Sequence, residues 1–165
     1  MKKLAKALCL ILAAATLLCV AGCGSSSGSN LRFVTGGEAG TYYAFGSVIA
    51  QHASNNVGVN VVGLVGAGSQ ANVEELKAGN AELAFCQSDV MAYAYQGTNL
   101  FDEKVDCFST VAALYMEVVQ IVTCDPAIKS VADLKGKSIC VGDIGSGTYF
   151  NTVDILAAYD MTLDD

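Results

Sequence analysis

The hydrophobic positions of the chain alternate between two spacings, which predict strands followed by helices. Apolar runs typical of strands occur at residues 31–34, 57–65 and 83–86. Between or after these runs the apolar residues recur at helical spacing, over residues 41–53, 69–77 and 90–95. Strands that alternate with helices require crossover connections. The pattern therefore predicts an α/β fold with a mainly parallel sheet.

The second half of the chain has the same kinds of pattern in a less regular order. Apolar runs predict strands at residues 111–114, 118–122 and 138–141. Helices are predicted at residues 130–134 and 149–158. Because no strand follows the last helix to complete the parallel unit, we expect the chain to be a fragment of a longer protein.

Four loops connect the carboxyl ends of predicted strands to helices, at residues 35–41, 66–69, 87–89 and 142–148. In open parallel sheets, ligands bind beyond these strand ends. Glycine lets the backbone approach a ligand, and helix N-termini offer unpaired N–H groups. One glycine-rich turn alone can serve only turn geometry, but the four loops together predict a site for a carboxylate or phosphate. Arg32, the one arginine, lies in a strand, so an anion would rest on N–H groups, hydroxyls and amides.

Other side chains near these loops have two possible roles. Asp89 and Glu117 would either bind a ligand ammonium or act as capping or solvated carboxylates. Tyr42, Tyr43 and Tyr115 would either wall a pocket or pack in the core.

The residue combinations of common catalytic sites are missing. Residues 36–40 lack the spacing of a dinucleotide fingerprint, and residues 142–148 lack the lysine of a P-loop. Ser146 lies in Gly-Ser-Gly rather than in a nucleophile elbow, and His52, the one histidine, is remote from it in sequence. The chain also lacks a CxxC motif or a Cys/His cluster. We therefore expect a protein that is not an enzyme and that uses no metal or cofactor; a secreted hydrolase is the competing class.

The N-terminus has the pattern of a secretory signal. Three lysines within the first six residues precede an apolar run at residues 7–21, which is too short to span a bilayer comfortably. Small residues then lead into Cys23, and a Gly/Ser-rich tether follows. This arrangement resembles a bacterial lipobox and predicts a signal peptide at residues 1–22 and a lipidated cysteine with its tether at 23–30. An ordinary signal peptide with an incidental cysteine is the alternative.

Removing the predicted signal makes the chain strongly acidic. The full chain has 9 basic and 16 acidic residues, and the signal takes three lysines, which leaves 6 against 16, a formal charge of −10. Nucleic-acid binding requires a basic face, so we exclude that class of partner. We expect an extracytoplasmic protein held at the cell membrane by its lipid.

Four cysteines remain after the signal and Cys23 are set aside: Cys86, Cys107, Cys124 and Cys140. Export permits disulfides, and four cysteines allow three pairings, which the sequence does not resolve. Cys86 and Cys140 lie within apolar runs, which favours buried free thiols at these two positions.

Several stretches resemble the TAXI solute receptors of TRAP transporters. Residues 34–43 (VTGGEAGTYY), 66–72 (GAGSQAN) and 84–89 (AFCQSD) are similar to the first three loops of that family. Residues 128–148 are similar to the crossing into its second lobe, a pattern that many type II periplasmic binding proteins share. Glu38 departs from the family, where a neutral residue is common.

The resemblance implies a type II periplasmic-binding-protein-like fold of two lobes, with mainly parallel sheets and a hinge, here truncated. Lobe one would span residues 31–122, and the hinge and the start of lobe two residues 123–165. Such receptors capture a small carboxylate or amino acid, such as glutamate, glutamine or 2-oxoglutarate, and deliver it to TRAP membrane permease subunits. A sensor module for a membrane signalling protein is the alternative.

Matching by position gives the residues that the resemblance implies for ligand binding. They are Thr41, Tyr42, Ser69, Asn72, Gln87 and Asp89 in lobe one and Ser146, Gly147 and Thr148 in lobe two. Since lobe two would be incomplete, we expect residues 23–165 alone to bind ligand weakly or not at all.

Overall fold

The computed structural model describes residues 30–99 and 101–165. The predicted signal peptide and Cys23 lie outside the described residues. Three strands form a parallel sheet in the order β2-β1-β3. They are β1 (Leu31–Val34), β2 (Val61–Leu64) and β3 (Leu83–Ala84). The predicted parallel sheet is confirmed, although β2 and β3 are shorter than their apolar runs.

Among residues 30–99 and 101–165, four α-helices and one 3-10 helix accompany the sheet. They are α1 (Thr41–Asn56), α2 (Ser69–Lys77), α3 (Ser88–Gln96), the 3-10 helix (Val131–Leu134) and α4 (Gly147–Ala157). All five predicted helices are confirmed, with bounds that differ by a few residues. Ser130 and Asp133 form a capping box at the 3-10 helix, which fixes its start.

The main hydrophobic cluster joins α2, α3 and the loop after α3 to α4. Its buried residues are Val73, Val90, Ala94, Phe101, Val105 and Phe150. A second apolar group lies at the sheet, where the ring of Phe85 stacks between Phe33 and Tyr42, with centroids 5.1 Å and 4.8 Å away. Phe85 directly follows β3, so this second group lies at the start of the third loop.

The predicted strands at residues 111–114, 118–122 and 138–141 do not form. Within the part of the chain that the structure describes, these residues have no ladder partner. Val111, Met116 and Val122 are each more than 85% exposed. The correction has a physical reason: an apolar run becomes a strand only when a neighbouring strand pairs with its backbone N–H and C=O groups.

An ion pair fixes the start of β1 beside the turn that precedes β3. The Arg32 Nη2 atom lies 2.6 Å from the Glu82 Oε1 atom and donates a second hydrogen bond to the Gly79 carbonyl at 2.7 Å. The Arg32 backbone N–H also donates to Glu82 Oε2 at 2.7 Å. These hydrogen bonds from Arg32 lower the pKa of the Glu82 carboxyl to about 2. The arginine is therefore a structural clamp, remote from the loops.

The thiols of Cys86, Cys107, Cys124 and Cys140 are all free. Cys86 is half-buried, but Cys140 is exposed, so the prediction of a buried thiol at Cys140 is wrong. The reason is that its apolar run does not become a strand within the sheet. No helix among residues 30–99 and 101–165 is long and apolar enough to cross a bilayer.

Candidate ligand-binding site

The buried amide of Asn72 joins the carboxyl ends of two strands. Its Nδ2 group donates to the carbonyl of Thr35, which follows β1, at 2.6 Å and to the carbonyl of Phe85, which follows β3, at 2.8 Å. Asn72 is fully buried, and its Oδ1 atom lacks a hydrogen-bond partner among the described residues. Any side chain at Gly66 would collide with this Oδ1 atom, so the second loop requires glycine here. The first three loops are thus held together by one side chain.

Ser69 connects the second and third loops. Its hydroxyl accepts a hydrogen bond from the backbone N–H of Gln87 at 3.1 Å and lies 3.5 Å from the hydroxyl of Tyr42. A serine before a run at helical spacing is typical of an N-cap, which predicts that role for Ser69, but the N-cap of α2 is Gly68, at φ 110°, and Ser69 is the first helical residue. That prediction is wrong because the Ser69 hydroxyl bonds to the neighbouring loop instead of to its own helix.

The Tyr42 hydroxyl and the Cys86 thiol both keep their protons in the candidate site. Burial raises the pKa of the Tyr42 hydroxyl, and the Glu117 carboxylate raises it further. Burial likewise raises the pKa of the Cys86 thiol to about 12, with Asp89 and Glu117 adding to the effect. A thiol that stays protonated at neutral pH is a poor nucleophile. The Cys86 thiol instead donates weakly to the carbonyls of Ser69 and Gln87.

The fourth loop lies directly against the second. The backbone N–H of Gln70 donates to the carbonyl of Gly145 at 2.9 Å. A Cβ atom placed on Gly68 would lie 2.8 Å from the Cα atom of Ser146. The Ser146 hydroxyl accepts from the backbone N–H of Tyr149 at 3.2 Å and so caps α4. The loops after β1, β2 and β3 therefore meet at the carboxyl edge of the sheet, as the sequence pattern predicts. The loop at residues 142–148, whose predicted strand does not form, reaches the same edge through its contacts with the second loop.

Gln87 and Asp89 are linked through Asn151, a residue of α4. The Gln87 Nε2 group donates to Asn151 Oδ1 at 2.9 Å, and Asn151 Nδ2 donates to Asp89 Oδ2 at 2.8 Å. The other Asp89 oxygen accepts from the backbone N–H of Val90 at 2.8 Å. Asp89 thus lies in the first turn of α3 with both carboxylate oxygens hydrogen-bonded, and its contact with a ligand ammonium stays a prediction. The Gln87 side chain also lies so close to Gly147 that no Cβ fits there.

The two threonines of the predicted set lie at the outer side of the same edge. Thr41 is the first residue of α1 and Thr148 the second of α4, and both are exposed. Glu117 lies near the site as well. Burial raises the pKa of the Tyr115 hydroxyl, and the Glu117 carboxylate raises it further, as it does for Tyr42. Tyr115 itself packs edge-on against Phe45 of α1, with centroids 5.6 Å apart.

Sequence reasoning missed Asn151 and Thr35. Asn151 lies four residues after Gly147, so helical spacing places it on the same face as the predicted ligand residue, and this signal could have identified it. Thr35 contributes its backbone carbonyl to Asn72 and its hydroxyl to the Leu64 carbonyl at 2.7 Å. A backbone contact of this kind has no sequence signature.

A separate groove lies between the turn after the 3-10 helix and the end of α4. It has a volume of about 280 Å³, and its lining includes Leu134, Ile139, Leu156 and Met161. The Lys135 amine at its rim is held by the Asp165 carboxylate at 2.7 Å. None of the ligand residues implied by the resemblance lines this groove, so the strand-end loops remain the candidate site.

A family model described as the NMT1-like family matches residues 33–165. The match covers nearly all of the described chain, including all four loops and every residue of the candidate site. It is a periplasmic-binding-protein-like family, and it indicates solute binding outside the cytoplasm. The parallel α/β sheet is compatible with that fold.

Proposed function

The chain belongs to the NMT1-like family, and from this we propose that it is the solute receptor of a TRAP-type secondary transporter, of the TAXI kind. It captures a small carboxylate or amino acid similar to glutamate, glutamine or 2-oxoglutarate and delivers it to the TRAP membrane permease subunits. The observation that carries this proposal is that three strand-end loops and the loop at residues 142–148 converge at one edge of the sheet.

The chemistry of these loops suits a carboxylate. Helices α2, α3 and α4 begin at Ser69, Ser88 and Gly147, and each begins at or next to one of the loops. Helix N-termini carry unpaired N–H groups and a partial positive charge, which together stabilise an anion without a basic side chain. This matters here because the one arginine, Arg32, is held by Glu82 on the sheet.

The proposal includes two lobes that close on the solute. Lobe one would begin at residue 31 and extend to about residue 122, and lobe two would begin after a hinge near residues 123–126. The first three loops would then supply one wall of the cleft, and the loop at residues 142–148 the other.

We propose binding without chemical change. The Ser146 hydroxyl caps its own helix, the Cys86 thiol is protonated, and His52 is exposed on α1 beside Asn56. These three groups supply no nucleophile paired with a base, which acyl transfer requires.

Isothermal titration calorimetry on the full-length protein, rather than on residues 23–165 alone, tests the proposal. We expect L-glutamate, L-glutamine or 2-oxoglutarate to bind after the protein has been unfolded and refolded to remove any co-purified solute. Ser69→Ala should weaken binding about 5- to 10-fold, because the Gln87 N–H loses its acceptor and the third loop its position.

The control is Ser47→Ala, since the Ser47 hydroxyl is exposed and bonds only within α1, to the Tyr43 carbonyl. This variant should bind like the wild type. Failure of the refolded protein to bind any of the three solutes would count against the proposal.

A further inference from the structure

We infer that the four loops are in a self-closed state, in which the Gln87 side chain stands at the first turn of α4 and a solute must displace it to bind. We call this side chain the Gln87 plug. The inference rests on the proposed function, and it adds a competitor for the solute that is built into the chain.

The Gln87 plug contacts two residues of α4. Its Oε1 atom lies against Gly147, in the space that a side chain would otherwise fill, and its Nε2 group donates to Asn151. An amide oxygen is a neutral counterpart of a carboxylate oxygen. The plug thus puts an acceptor oxygen beside a helix N-terminus, which is the environment that favours a ligand carboxylate.

The second and fourth loops are in direct backbone contact. The bond from the Gln70 N–H to the Gly145 carbonyl and the contact between Gly68 and Ser146 bring the two backbones together. A solute between these two loops would have to separate them. In the described structure the second and fourth loops therefore contact each other. Under the proposed function, the N–H groups that make this contact would instead bind the solute.

A set of contacts between α3 and α4 holds this closed arrangement, and we call it the latch. Tyr93 donates its hydroxyl proton to Asp154 Oδ2 at 2.6 Å, and Asn151 donates to Asp89. Between these two bonds, the ring of Phe150 is 2% exposed and stacks on Tyr93, with centroids 5.8 Å apart. Two polar bonds and one buried ring thus connect the two helices side by side.

The latch and the plug define an equilibrium between closed and open loops. A solute that binds only the open form has an apparent affinity reduced by the fraction of protein that is open. A change that weakens the latch without touching the loops should therefore strengthen solute binding. This direction is opposite to the one expected if the latch belonged to the solute-bound state.

Tyr93→Phe in the full-length protein provides the test. It removes only the hydroxyl that is bonded to Asp154 and retains the ring that stacks on Phe150. Without solute, we expect amide hydrogen exchange in α4 to become faster. We also expect a rise of about three- to tenfold in affinity for whichever of glutamate, glutamine and 2-oxoglutarate the wild type binds. Asp154→Asn, which keeps an acceptor but loses the charge, should give a smaller change in the same direction.

The matched control is Tyr95→Phe, on the same helix. Tyr95 is 54% exposed and lies beneath the Lys104 amine, 4.3 Å from its ring centroid, so exchange in α4 and affinity should remain those of the wild type.

Three results would overturn the inference. Unchanged exchange in Tyr93→Phe would show that the latch does not hold α4. Faster exchange with equal or weaker binding would show that the closed form is not a competitor of the solute. Absence of binding in the wild type and every variant would remove the proposed function and this inference with it. The first two results, with binding retained, remove the inference alone.

Discussion

At the scale of single residues, buried polar groups rather than exposed charges organise the candidate site. Asn72 is the clearest example, because it is fully buried and its two amide hydrogens satisfy the carbonyls of Thr35 and Phe85. The resemblance identified Asn72 as a ligand residue, but the structure directs its amide to the strand ends. Its role in shaping the loops is therefore open to a direct stability test.

We predict that Asn72→Ala lowers the free energy of unfolding by about 2 kcal/mol or more, because two buried carbonyls lose their donors. Urea unfolding followed by circular dichroism measures the change. Asn55→Ala, on the exposed side of α1, is the control and should stay within about 0.5 kcal/mol of the wild type. Equal stability of the two variants would contradict the assigned role of Asn72.

The Arg32–Glu82 ion pair predicts a dependence of stability on pH. The folded pKa of Glu82, about 2, lies below the ordinary value of 4.5, so its contribution is present above about pH 4.5 and is lost as pH falls toward 2. We expect the difference in melting temperature between the wild type and Glu82→Gln to shrink over this range. A constant difference from pH 6 to pH 2 would show that the pair does not stabilise the folded state.

At the scale of elements, the helices were predictable because their signals are local. Apolar spacing and terminal residues are enough to place a helix, and Gly79, at φ +70°, ends the second one as its position after Lys77 predicts. Strands depend on partners as well as on pattern. Residues 57–65 and 83–86 therefore became short strands, and residues 111–122 became none.

The candidate site was predictable in its location but not in its internal contacts. The rule for parallel sheets places the first three loops at one edge, but not the loop at residues 142–148, whose predicted strand does not form. It did not predict that Gln87 would fill the space beside Gly147 or that Asn151 would link Gln87 to Asp89. Those contacts depend on how α4 packs against α3, which is a long-range property that the local pattern does not encode.

Helix α4 depends on one aromatic anchor, and we predict that Phe150→Ala lowers the free energy of unfolding by about 3–5 kcal/mol. The reason is that Phe150 is 2% exposed in the main cluster, where its removal would leave a cavity. Val153→Ala, on the same helix but 37% exposed, is the matched control, with an expected loss below about 1.5 kcal/mol. Urea unfolding compares the two, and similar losses would contradict the proposed packing of α4.

At the scale of the whole molecule, the family match indicates location and the composition excludes one class of partner. The family indicates an extracytoplasmic solute receptor, and a formal charge of −10 after removal of the predicted signal fits a protein that does not bind nucleic acid. The lipid anchor stays a prediction of the sequence, because Cys23 lies outside the described residues.

We predict that Cys23→Ser moves the protein from the membrane fraction to the soluble fraction of a bacterial host that lipidates exported proteins. Lipidation requires the thiol, and stable anchoring needs acyl chains. Cys19→Ser, within the predicted signal peptide, is the control and should leave the protein in the membrane fraction. A Cys23→Ser protein that still fractionates with membranes would indicate another mode of attachment.

The central claim is that solute binds at the four loops, three of which follow strands, and hydrogen exchange with and without solute tests it most directly. With saturating glutamate, glutamine or 2-oxoglutarate, whichever binds, we expect slower amide exchange at residues 35–41, 66–69, 87–89 and 142–148. Residues 50–56, at the C-terminal end of α1, should be unaffected. Protection confined to the groove lined by Leu134 and Met161, with the loops unchanged, would contradict the claim.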